Sequence, residues 1–204
     1  MTARTSRGQR ILQGKRTKGQ SNPSIEFLEN QRIALTIWNL FRATSGIIRE
    51  FWTRKSNGQT GASQFFAYTN KFATDFSDPE NPALIPTALT FSAGTMTPTL
   101  PSSATANVSD NKVVINWPTT IANDSQAASD FAWYVVVNRT KGLYISGSAG
   151  TIRSVGHSAD IVATNLQLTA GNTIDVYLFF VADPEAPNAG EVSDCMNITV
   201  IATA

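Results

Sequence analysis

The sequence predicts an α+β protein in which an extended basic arm and a helical hairpin precede an antiparallel β-sandwich. Three observations carry this. Charge is segregated: the first 74 residues hold twelve Lys/Arg against three acids, and the other 130 hold four against twelve, so a net +1 conceals +9 and −8. Apolar residues between Arg32 and Phe76 recur at spacings of three and four, the helical period. From Thr87 onward short Val-, Ile-, Thr- and aromatic-rich runs alternate with turn residues, with no helix between them.

Residues 1–22 are polar and punctuated by Gly8, Gly14 and Gly19, and residues 1–20 contain Arg4, Arg7, Arg10, Lys15, Arg16 and Lys18 with no acid. They read as an extended arm suited to contact with an acidic neighbour or a polyanion. Residues 23–78 read as the hairpin. Asn22-Pro23-Ser24 supplies an N-cap and a first-turn proline, and Glu26 and Glu29 sit where the helix dipole favours acids. Ile33, Ile37, Leu40, Phe41, Ile48, Phe51 and Trp52 share one broad side, with Ser45-Gly46 a point of bending or splitting. Ser56-Asn57-Gly58 ends this helix; Phe65, Phe66, Thr69, Phe72, Ala73 and Phe76 mark a second. Residues 79–87, with Pro79, Pro82 and Pro86, form the linker.

Within residues 88–204 strands are expected near 88–93, 104–109, 112–117, 131–138, 143–147, 160–168, 173–182 and 195–202, with a two-residue turn at Asp110-Asn111 and a longer one over Arg139–Gly142. Val113, Ile115 and Trp117 alternate onto one face, as a half-buried sandwich strand requires. Residues 174–182 are apolar on both faces, so the second face must be covered by the helical hairpin or by another chain. The stretch Leu168 to Leu178, in which Gly171 leads into a buried strand, resembles the late-strand corner of fibronectin type III and immunoglobulin-like domains. No cysteine pair accompanies it, since Cys195 is the only cysteine.

The basic start, Gln31-Arg32 opening an amphipathic helix, the second aromatic helix and Tyr134-Val-Val-Val-Asn138-Arg-Thr-Lys141-Gly142 within the sandwich together resemble an uncharacterised family of similar length from Bacteroidota bacteria and their phages. The resemblance implies an arrangement of arm, helical hairpin and immunoglobulin-like sandwich. It brings no activity or functional residues with it.

No catalytic, cofactor-binding or metal-ligating set emerges. Gly8 to Lys15 fails as a phosphate-binding loop: five residues separate Gly8 from Gly14, Arg16 replaces the magnesium-binding hydroxyl, and no strand is expected before it. His157 is the only histidine, and although Asp160 or Asp130 could stand behind it, no nucleophile-elbow sequence is present. One histidine and one cysteine cannot assemble a transition-metal site. Asp183, Glu185, Glu191 and Asp194 surround the Pro184–Gly190 loop in no known calcium-binding spacing and read as a solvated turn. The Asn-x-Ser/Thr matches at Asn107, Asn123, Asn138 and Asn197 are expected by chance in a chain rich in these residues.

What remains is contact. The six arm cations could neutralise phosphates, but the first aromatic residue is Phe27, leaving nothing within the arm to stack bases. Contact with a neighbouring subunit is the favoured reading, ahead of nucleic acid or a solvated tail. Phe41, Phe51, Trp52, Phe65, Phe66, Phe72 and Phe76 exceed what two helices alone can bury, so some pack on the sandwich or form an interface, the candidates for it being Phe41, Phe51, Trp52, Phe65 and Phe66. Apolar runs fall short of the roughly 20 residues of a membrane helix, and no signal-peptide core follows the start. The expectation is a non-enzymatic structural protein, made in the host cytoplasm and assembled as a homo-oligomer with other virion proteins into a phage capsid, neck or tail ring. The alternative is an exported immunoglobulin-like adhesin or carbohydrate-binding module.

Overall fold

In a computed structural model, residues 2–6, 9–13, 25–53, 59–78, 81–118, 129–154 and 158–204 are described, with side chains from Ile33 onward. Within the segment read as an arm, β1 (Thr2–Ser6) and β2 (Gln9–Gln13) pair antiparallel from Thr2 opposite Gln13 to Ser6 opposite Gln9, and join no other sheet. The expected N-cap at Asn22-Pro23-Ser24 and the stop at Ser56-Asn57-Gly58 lie outside the described residues.

Helix α1 (Ile25–Phe51) runs unbroken through Ser45-Gly46, so the helix is not split there. Gly46 is exposed, with no atom within 4 Å of the place a Cβ would occupy, so it costs only its propensity, about 1 kcal/mol. Ile33, Ile37, Leu40, Phe41, Thr44, Ile48 and Phe51 form the buried stripe. The Thr44 hydroxyl, buried within it, donates to the Leu40 carbonyl at 2.9 Å, which satisfies its one donor.

Helix α2 (Gly61–Phe72) starts at Thr60, whose side chain accepts from the Ser63 amide at 3.2 Å. It returns against α1. A Cβ on Gly61 would lie 2.9 Å from the Cβ of Trp52, so only glycine allows the helices this approach. Phe76, expected to continue the helix, lies beyond its end, where β3 (Thr74–Asp75) pairs with β4 (Ala83–Leu84).

The expected strand at 88–93 does not form. Pro86 opens a single 3₁₀ turn over 86–88, and the following backbone makes isolated bonds instead of a ladder. Ala93 donates to the Phe51 carbonyl at 3.2 Å and accepts from Thr53 at 3.0 Å, while Met96 donates to the Val192 carbonyl at 3.0 Å. A Cβ on Gly94 would fall 1.9 Å from that same carbonyl oxygen. The segment thus ties the end of α1 to the loop before the last strand.

The remaining strands are β5 (Ser103–Asn107), β6 (Lys112–Asn116), β7 (Phe131–Asn138), β8 (Leu143–Ile152), β9 (Ser158–Val162), β10 (Thr173–Val181) and β11 (Met196–Ile201). They form two antiparallel sheets, ordered β5-β6-β9 and β11-β10-β7-β8. The β5–β6 turn takes four residues, Val108 to Asn111, with Asn107 opposite Lys112, one pair more than the two-residue turn expected. The run expected as a strand to 168 stops at Val162. A 3₁₀ turn over Thr164–Leu166 follows, and Gln167 adopts left-handed backbone at φ 50°.

Three layers result. Val113, Ile115, Ala159 and Ile161 of the smaller sheet meet Val136, Ile174, Val176, Leu178 and Phe180 of the larger in one core, an arrangement consistent with a β-sandwich. On the other face of the larger sheet, Val135, Tyr177 and Phe179 meet the buried stripe of α1, Phe65 of α2 and Phe91 in a second core. Both faces of β10 are therefore covered within one chain, the outer one by the helical hairpin.

Candidate interaction site

Two buried acids, Asp130 and Asp175, are each engaged with an arginine inside the body of the chain. Asp130 and Arg153 are buried 3.4 Å apart, and Arg153 also donates to the Thr97 carbonyl at 3.0 Å and to the Thr99 hydroxyl. Asp160 is exposed and pairs with Lys112 at 3.4 Å, and His157 lies outside the described residues. Among the described residues no three of His, Cys, Asp and Glu are gathered as a metal site would require. Asn138 of the Asn-x-Thr match is buried, donating to the Leu166 carbonyl and to Asn172, both at 2.9 Å.

Asp175 is the other enclosed acid. It accepts from Arg139 Nε at 2.9 Å and Arg139 Nη2 at 2.5 Å, and from the Thr199 hydroxyl at 2.7 Å, fastening β7's end across β10 to β11. This bidentate bond is the first cause holding the Arg139 guanidinium above its ordinary range. The Tyr177 hydroxyl donates to the Pro86 carbonyl at 3.0 Å; burial first, and the nearby Asp175 charge second, push its pKa up.

Of the arm cations, Arg4 stands in β1 opposite Ile11, and Arg10 in β2 opposite Thr5. Arg7, Lys15, Arg16 and Lys18 lie outside the described residues. The five candidate interface aromatics come together in the layer between hairpin and sheet. Phe65 is fully buried, Phe41, Phe51 and Trp52 are each 4 % exposed, and Phe66 packs partly buried against them. Phe41 and Phe65 approach to 6.2 Å, Trp52 and Phe65 meet edge-on at 5.8 Å, and Phe51 packs on Trp133 at 4.8 Å and Phe179 at 5.4 Å. Trp38, not among the candidates, is 47 % exposed while stacking on Phe66 at 6.0 Å. It flanks the apolar stripe of α1, also lying 5.7 Å from Phe41.

A feature that no sequence pattern signals is a cavity of about 360 Å³ where the C-terminal end of α1 meets the larger sheet. Phe51, Phe131, Trp133 and Val181 give it an apolar floor, Ala182, Pro184, Ala189 and Gly190 one wall, and Glu50 and Ser148 its side-chain polar groups. The loop forming that wall is the acidic turn, in which Asp183 Oδ1 accepts from the Glu185 amide at 2.9 Å. Asp183 is half-buried there, while Glu185 and Glu191 are exposed. Among the described residues, no lysine or arginine lines the cavity.

Among the described residues no helix is long and apolar enough to cross a membrane. Compared with models of known protein families and with curated proteins, the chain matches none.

Proposed function

We propose that the chain is a non-enzymatic structural subunit whose basic arm joins one copy to the acidic body of the next, building a larger particle, most concretely a phage virion component such as a capsid, neck or tail ring. The single observation that carries this reading is the charge division of +9 in the first 74 residues against −8 in the rest. Two oppositely charged parts of one chain favour head-to-tail contact between copies, which closes into rings or extends into filaments.

The hairpin β1–β2 adds support. A two-stranded ribbon standing alone is marginal in water, and laying it on a neighbour's acidic surface would stabilise it. The immunoglobulin-like reading of the sandwich is supported by strand order. Lettered A, B, C, C′, E, F and G in chain order, β5 to β11 would form an A-B-E sheet facing a G-F-C-C′ sheet.

The rival, a carbohydrate-binding module, draws on the aromatic floor of the cavity, yet Glu50 and Ser148 alone offer too few side-chain partners for a sugar's hydroxyls. Size-exclusion chromatography with light scattering across a salt series tests the assembly reading. Oligomers that dissociate as salt rises support it, and a monomer at every salt concentration refutes it.

A further inference from the structure

We infer that the cavity at the C-terminal end of α1 is the receptor for a basic side chain from the arm of a second copy. This rests on the assembly reading above and names the surface it would use.

The cavity suits a guanidinium better than other occupants. Its floor presents Phe131 and Trp133, with Phe51 packed at 4.8 Å on Trp133, and the face of such rings attracts a cation within about 6 Å. Glu50 offers a carboxylate at the lip, the planar partner that arginine bonds through two donors. Asp183, Glu185 and Glu191 surround the wall with further negative charge. The same three groups already meet inside this chain: the Arg153 guanidinium lies 4.4 Å from the Phe180 ring centre and 3.4 Å from Asp130.

Placement points to a second copy. The arm enters α1 at Ile25, and Glu50 stands at the other end of the helix, about 38 Å away at 1.5 Å per residue. The receptor thus lies at the end of α1 remote from the one the arm precedes, which suits a heterologous contact repeated from copy to copy.

The test uses full-length chains and light scattering at low salt. One variant carries Arg4→Glu, Arg7→Glu and Arg10→Glu; the other carries Glu50→Lys and Ala189→Lys, both at exposed positions, with thermal melts verifying that each folds. Each variant alone is expected to associate at least about tenfold more weakly than the unaltered chain, as loss of about 1.4 kcal/mol per contact implies. An equimolar mixture should recover association, because the unaltered arm of one partner meets the unaltered cavity of the other and the reversed arm and reversed cavity are again opposite in charge. If the cavity variant assembles like the unaltered chain while the arm variant does not, the arm docks elsewhere; the cavity is then excluded and the assembly reading stands. Failure of the mixture to pair also overturns the cavity assignment, as does an arm that folds onto its own cavity and leaves the unaltered chain monomeric. In that last case the assembly reading falls with it.

Discussion

The guanidinium of Arg153 lies 4.4 Å from the centre of the Phe180 ring, buried just beyond the end of β8. Trp117 meets the same ring edge-on at 5.9 Å and donates its indole N–H to the Arg153 carbonyl at 3.1 Å. A cation so placed is tolerable only because Asp130, Thr97 and Thr99 surround it with acceptors. Its backbone takes part too, the Arg153 amide donating to the Asp130 carbonyl at 2.8 Å.

Removing the carboxylate should therefore cost more than removing both charges. Asp130→Ala is expected to destabilise by about 3–5 kcal/mol, whereas Asp130→Ala with Arg153→Met, which exchanges the pair for apolar volume, should recover most of that loss. Urea unfolding midpoints of the two single variants and the double variant measure the coupling. Additive losses would contradict the account.

A second prediction concerns the cover over β10. Phe179 is fully buried and packs on Phe51 at 5.4 Å, holding α1 to the larger sheet, while Leu178 points into the sandwich core. Phe179→Ala should cost about 3–5 kcal/mol and loosen the hairpin more than the sandwich. Hydrogen exchange would show it: amides of α1 and α2 should lose protection before those of β6 and β9. Equal loss in both layers would mean that the two cores unfold as one unit.

Alkaline pH offers a third. Burial raises the Cys195 thiol to about 12, and raises Tyr134 and Tyr177 as well. In the unfolded chain a thiol ionises near pH 8.5 and a phenol near 10. The native state then holds more protons than the unfolded state, so stability is intact below about pH 8.5 and declines as pH rises from there toward the folded values. Melting temperature should fall steadily above about pH 9, and iodoacetamide should label Cys195 far more slowly in the native protein than in urea. Rapid native labelling at pH 8 would contradict a raised thiol pKa at half-buried Cys195.

Legibility in the sequence followed the range of the interaction. The strands β6, β7, β10 and β11 were readable because alternation and β-branched runs are local, and the need to cover both faces of residues 174–182 was readable from their unbroken apolarity. What covers the second face was not, since a hairpin and a neighbouring chain satisfy the same requirement. Residues 88–93 look like a strand from composition alone, but Pro86 and the close approach of Gly94 to Val192 commit that backbone to tying α1 to the last loop. The cavity and the Asp130–Arg153 pair join residues from distant parts of the chain, and no spacing rule brings Glu50 and Trp133 to Pro184, or Thr97 to Arg153.

Amide hydrogen exchange over residues 1–24, followed as a function of protein concentration, tests arm-mediated assembly most directly. At high concentration and low salt the arm amides should be protected, and protection should vanish on dilution or at about 1 M salt, where screening shortens to about 3 Å. An arm equally protected in a dilute monomer of 22.0 kDa would contradict it.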